Sequence, residues 1–241
     1  MRKLSLRLNI FTVFLLLTLI ISSGHAIAKI PPDLLTEYNN NKKYALQNQN
    51  NAELWYSYAM TCAYIGKVEE GLDALKKVDA ADPNYAKKMT PVYKEKIEAD
   101  PQNWKTRFYY AFSVYALTLD RRKKNISKEE ARVFQEEAFG QFKDIIHLLG
   151  DKNFVSAWAY GYMGAIRGEQ EKFDEAIGYL KKGLKIEPDG TALHMALGYA
   201  YMKRGNWLGF VGETLTVGRL KAEEQQSNQN NEKSGHEQND I

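Results

Sequence analysis

The sequence predicts an all-α protein, a short solenoid of antiparallel helix pairs with one insertion and a disordered polar tail. Three observations carry that prediction. First, Ala52–Tyr85 and Ala157–Gly190 align without a gap over 34 residues, and self-similarity at such a period marks stacked repeats. Second, each copy places a small residue (Ala59, Gly164) 24 positions before a proline (Pro83, Pro188), with a leucine (Leu75, Leu180) eight before it. Third, Phe173, Ala176, Ile177, Leu180 and Leu184 recur at the three- and four-residue spacing of one buried helical face, with charges on the other.

Composition sets the bounds. The 241 residues suffice for one or two domains or a short repeat array, and 44% hydrophobic with 26% charged residues is globular usage. The single cysteine, Cys62, excludes an intramolecular disulfide framework and any multi-cysteine zinc site. It sits among Ala59, Ala63 and Tyr64, where a buried, inert thiol is expected. The formal charge of +3 comes from Arg2, Lys3 and Arg7, so the rest of the chain is balanced. A balanced body lacks the basic excess with which nucleic-acid binders displace counterions, and no nucleic-acid partner is expected.

Residues 1–28 have the three parts of a secretory signal: basic Met1–Arg7, an apolar stretch Ile10–Ile21, and Ala26-Ile27-Ala28 before Lys29. The apolar run is shorter than the ~20 residues of a membrane-spanning helix, so cleavage before Lys29 and an exported location are expected. Residues 29–51 hold a helix over Pro32–Leu46 and an asparagine-rich break. The repeat region is residues 52–220. In 52–85, Gly66 marks the turn between the two helices, and the prolines close the second helix of each full copy, 52–85 and 157–190. Thr90-Pro91 reads as the cap and first residue of a short helix through Ala99. A degenerate copy, 104–152, has its first helix at Trp104–Thr118 and its second at Lys128–Leu149. An insertion containing Asp120–Ile126 separates them, and Ser127-x-x-Glu130 is a capping box. Residues 191–220 form a worn terminal unit, and 221–241 are a polar tail too poor in apolar side chains to fold.

The repeated spacing resembles the tetratricopeptide repeat, W-x2-L-G-x2-Y, then A-x3-F, then P. The first copy reads Trp55-x2-Tyr58-Ala59-x2-Cys62, Gly71-x3-Leu75, Pro83; the other reads Tyr160-x2-Met163-Gly164-x2-Arg167, Ala176-x3-Leu180, Pro188. The resemblance implies a right-handed superhelical solenoid whose first helices line a concave face that binds proteins or peptides. Phased on the family, that lining includes Tyr56, Met60, Tyr64, Phe108, Phe112, Tyr115, Trp158, Met195 and Tyr199, an aromatic and methionine-rich groove for a partner. The bland alternative packs these side chains on the N-terminal helix, the insertion or a neighbouring repeat. A family-type carboxylate clamp is not expected, because only Lys105 and Lys203 stand near the lining. Gly161, Gly164, Ala165 and Gly168 either make a hollow beside Trp158 or permit tight helix packing. Arg167 either meets a carboxylate or extends to solvent.

No catalytic constellation is legible. The mature chain has His147, His194 and His236 alone, with no H-E-x-x-H pair, no G-x-S-x-G elbow and no P-loop, and nothing in the spacing joins Cys62 to a histidine. The expectation is a non-enzymatic scaffold without cofactor or metal that binds a protein or peptide. The alternatives are a self-associating subunit of an envelope assembly and a membrane-peripheral adaptor held by an uncleaved leader. Membrane contact would run through that leader or the basic Arg121–Lys124 insertion. Asn125-Ile126-Ser127 matches a glycosylation sequon and is read as chance.

Overall fold

A computed structural model describes residues 30–118 and 126–237, with side chains of the last helix described through residue 226. The leader, the basic insertion and Asn125 therefore lie outside the described residues. Among those described, all regular structure is helical: α1 Pro32–Gln47, α2 Ala52–Ile65, α3 Val68–Ala81, α4 Tyr85–Ala99, α5 Trp104–Thr118, α6 Lys128–Leu149, α7 Phe154–Glu169, α8 Phe173–Ile186, α9 Thr191–Lys203 and α10 Trp207–Glu237. No helix among them is long and apolar enough to cross a membrane.

The hairpins are α2–α3, α5–α6, α7–α8 and α9–α10, and α6 on α7 and α8 on α9 stack one hairpin on the next. This is the tetratricopeptide-like solenoid the repeats imply. Local chemistry sets the ends: Asn51 accepts from the Leu54 amide, Ser127 from Glu130 and Asn153 from Val155, satisfying amides that have no partner inside the helix. Close approach within the third hairpin depends on Gly164, where an added Cβ would fall 2.6 Å from Leu180 Cγ.

Two helices outside the hairpins alter the solenoid. α1 packs on α2, and α4 packs on α5. The sequence places the start of α4 at Thr90-Pro91, but the helix begins at Tyr85 and carries Pro91 inside it. Tertiary packing overrides the local signal: Tyr85 sits 5.3 Å from the Tyr56 ring, and the Thr90 hydroxyl donates to the Ala86 carbonyl at 2.8 Å. The tail is a second correction. Where composition predicts disorder from residue 221, α10 continues to Glu237. Residues 221–226, Lys-Ala-Glu-Glu-Gln-Gln, are strong helix formers, and Arg219 pairs with Glu223 one turn on at 2.8 Å.

A large core runs from α1 to α7 and a smaller one joins α7, α8 and α9. α2 and α7 touch each other across the inside of the superhelix and are buried nearly all round. That contact narrows the concave side and determines what remains of a groove.

Candidate functional site

The structure brings most of the predicted groove residues together, but as core. Tyr56, Met60, Tyr64 and Phe108 are fully buried, and Phe112, Tyr115 and Trp158 nearly so. Of the nine, Met195 and Tyr199 are exposed, at 49% and 50%. The correction has a physical cause. Tyr56 lies under Tyr85 and Tyr93 of α4 and beside Tyr109, Tyr64 packs edge-on against Trp104 and Phe108, and Tyr162 of α7 packs on Phe108, Phe112, Tyr115 and Phe142. The extra helix α4 and the α2–α7 contact fill the space a wider superhelix would leave open.

What survives of the concave side is an apolar hollow of about 270 Å³. Its walls come from six helices: Ala59 and Ala63 of α2, Val68, Gly71 and Leu72 of α3, Phe112 and Tyr115 of α5, Trp158, Gly161, Tyr162 and Ala165 of α7, Leu180 of α8, and Ala192, Leu193 and Ala196 of α9. The glycine-rich stretch of the third repeat is thus both things the sequence allowed. Gly161 and Ala165 border the hollow beside Trp158, while Gly161 and Gly164 both serve packing, since an added Cβ would fall 2.6 Å from Leu193 Cδ2 and from Leu180 Cγ respectively. The Tyr115 hydroxyl donates to Glu169, and that of Tyr162 faces the Ala63 carbonyl at 3.5 Å. The Trp158 indole N–H is buried and has no hydrogen-bond partner among the described residues.

Beside the hollow's mouth the last hairpin is open. Met195 and Tyr199 stand on α9 next to Ala192 and Ala196, and α10 exposes Trp207, Leu208, Val211 and Leu215. Sequence reading missed the α10 residues because its glycines obscure the pattern. The signal was the four-residue spacing of Trp207, Val211 and Leu215.

The polar clusters elsewhere are internal. Arg167 is buried, with its guanidinium 3.7 Å over the Phe139 ring and paired with Glu136 of α6 and Glu175 of α8, so the carboxylates it meets are the chain's own. Lys105 pairs with Glu37 and Lys203 lies over Tyr199. Glu70 accepts from Tyr38 at 2.7 Å, from Lys42 at 2.8 Å and from Tyr58. Burial pushes its carboxyl up, but the bonds from Lys42, Tyr58 and Tyr38 outweigh that and hold it at about 2. Burial pushes the Cys62 thiol up to about 12, so it is no thiolate at neutral pH. Burial and the nearby Asp189 raise Glu187 to about 7. No group of three or more potential metal ligands assembles among the described residues.

No protein-family model and no curated protein sequence matches the chain. Solved structures are similar in fold at low identity. One is a double mutant of MamA RS-1, 12% identical, TM-score 0.48, covering 89% of this chain and 94% of that one. Another is residues 41 to the end of MamA from Desulfovibrio magneticus RS-1, 13% identical, TM-score 0.40, covering 80% and 88%. A third is a tetratricopeptide-repeat protein of Thermus thermophilus, TTC0263, 17% identical, TM-score 0.46, covering 75% and 79%.

Proposed function

We propose that the protein is an exported, non-enzymatic helical-repeat scaffold that holds a protein partner on the last hairpin, at the mouth of the apolar hollow. Export is supported by the basic, apolar and small-residue parts of residues 1–28. The observation that carries partner binding is the exposure of Met195 and Tyr199 on α9 with Trp207, Leu208, Val211 and Leu215 on α10. Terminal repeats of solenoids ordinarily turn a polar face to water, and a cluster of exposed large apolar side chains marks an interaction surface. The aromatic side chains of α2 and α5 are spent on the core, so they stabilise the scaffold and do not contact the partner.

Crosslinking capture from intact cells tests this reading, comparing the tagged protein with a Met195→Asp, Tyr199→Ser double variant. Both positions are half exposed, so circular dichroism and the unfolding midpoint are expected to stay unchanged. A partner present with the parent and lost with the folded variant is the expected result. Identical captures from both would sink it. Recovery of this chain's own copies alone would turn the reading to self-association, to which Leu35, Tyr44 and Leu46, exposed on α1, could contribute a second apolar face.

A further inference from the structure

We propose that Glu187 is a proton-operated switch for the last hairpin: neutral, it lets the α8–α9 turn hold α9 against α10, and ionised, it loosens that hold. The inference rests on partner docking at Met195 and Tyr199 for its consequence alone, because other side chains build the switch. Glu187 caps α8, its amide donating to the Gly183 carbonyl at 2.9 Å. From there Glu187-Pro188-Asp189-Gly190 turns the chain into α9, and the Gly190 amide returns to the Glu187 carbonyl at 3.2 Å. No side chain caps α9 at Gly190, so its start is fixed by this turn and by His194. The His194 ring donates from Nε2 to the Pro188 carbonyl at 2.8 Å and meets Glu213 of α10 through Nδ1. One imidazole thus ties the turn, α9 and α10 together, directly before Met195 in the chain.

Into this joint the fold puts a carboxyl group that it does not pair. Glu187 is 6% exposed, and its buried Oε2 has no hydrogen-bond partner among the described residues. An ionised carboxylate there has left water without a compensating bond, a larger penalty than a neutral carboxyl meets. The charged groups that meet the turn do not remove it. Asp189, in the turn itself, repels a second carboxylate. Arg219 of α10 approaches Asp189 at 4.0 Å and pairs with Glu223, and Glu213 is engaged by His194. Lys185, in the last turn of α8, is exposed, and α7 brings up only the Ala157 carbonyl, against Gly183. Burial first and Asp189 second raise the Glu187 carboxyl from 4.5 to about 7. The folded turn therefore favours the protonated form. Its stabilisation is complete below pH 4.5 and is lost as pH rises through 7.

The test follows the purified protein from pH 5 to 9 by two readouts, the Glu187 carboxyl resonance, assigned with Glu187→Gln, and amide exchange over residues 191–203. The carboxyl is expected to titrate near pH 7. Protection of residues 191–203, corrected for the intrinsic pH dependence of exchange, is expected to fall about tenfold between pH 6 and 8 as opening releases the proton-linked constraint. Glu187→Gln, permanently neutral, is expected to keep its protection over that range. Asp189→Asn, which removes the repelling charge, is expected to move the carboxyl midpoint and the loss of protection together to lower pH, and it serves as the second variant should Glu187→Gln not fold. A carboxyl midpoint below pH 5.5, or constant protection of the parent from pH 6 to 8, would overturn the proposal. A pH dependence retained in Glu187→Gln would assign the effect to His194 and Glu213 and overturn it equally. A partner captured in cells is expected to bind the purified parent more weakly at pH 8 than at pH 6, and Glu187→Gln alike at both; equal binding by the parent would overturn control of the docking site. Failure to capture any partner counts against the docking reading alone, because exchange and the carboxyl titration decide the switch without one.

Discussion

Gly66 turns the first hairpin with φ 81°, the left-handed region in which an L side chain is strained, and the Trp158 ring lies where its Cβ would be. Gly66→Ala therefore meets two penalties: about 1–2 kcal/mol for the backbone and ~1–3 kcal/mol for displacing a core indole. A loss of roughly 2 kcal/mol or more is expected in urea unfolding, together with a shift of the Trp158 indole resonance. The equivalent turn of the third hairpin has Glu171 at φ 63°, a bulky residue in the same region. Glu171→Gly relieves about 1–2 kcal/mol of backbone strain and gives back roughly half of that in chain entropy. A gain of ~0.5–1 kcal/mol is expected, opposite in sign to Gly66→Ala, and equal or lower stability would refute it. The first turn was legible because glycine announces it. The other was not, since Gln170-Glu171-Lys172 contains no residue that favours the conformation the hairpin imposes.

Amphipathic helices could be phased from the sequence and fully buried ones could not. α8 was placed correctly because Ala176 and Leu180 occupy one face and charges the other. α2 and α7 are apolar all round, so no face of Tyr56, Met60 and Tyr64 is distinguishable by pattern, and family phasing turned core residues outward. What covers α2 is partly α1, and α1 is held by charge as well as packing. Tyr38 and Lys42 of α1 meet Glu70 of α3, and Asn41 donates to Thr61 at 2.7 Å. Glu70 titrates near 4.5 when unfolded and at about 2 when folded. Its ionised form therefore stabilises the fold fully above pH 4.5, and that contribution is lost as pH falls from 4.5 toward 2. Glu70→Gln is expected to lower Tm at pH 7 and to show a shallower fall in Tm between pH 5 and 3 than the parent. Parallel curves for the two proteins would show that Glu70 does not couple α1 to α3.

At the scale of the whole molecule, α10 does more than finish the last repeat. Along its length Glu213 meets His194 of α9, Arg219 approaches Asp189 at 4.0 Å, Lys221 reaches Glu69 at 3.0 Å and Glu224 reaches Lys67 at 3.6 Å. The last two partners lie at the turn of the first hairpin and the start of α3, next to Val68 of the hollow's wall, and Leu220 is buried between Arg219 and Lys221. The final helix thus clasps the first repeat and bridges the two ends of the solenoid. Nothing local reveals this, because Lys221 and Glu69 are 152 residues apart and the surrounding composition reads as unstructured. Both ion pairs are exposed, so each contributes at most ~1 kcal/mol and is weakened by salt. Lys221→Glu should then change global stability by less than about 1 kcal/mol while opening the clasp. Amide exchange over residues 218–226 is expected to accelerate, with residues 191–203 unchanged, and high salt should act on the parent in the same way. Adding Glu69→Lys restores one attractive pair in reversed polarity and should return exchange to the parent rate. If residues 218–226 exchange equally fast in the parent and in Lys221→Glu, the clasp does not hold and the mouth of the hollow is permanently open on that side.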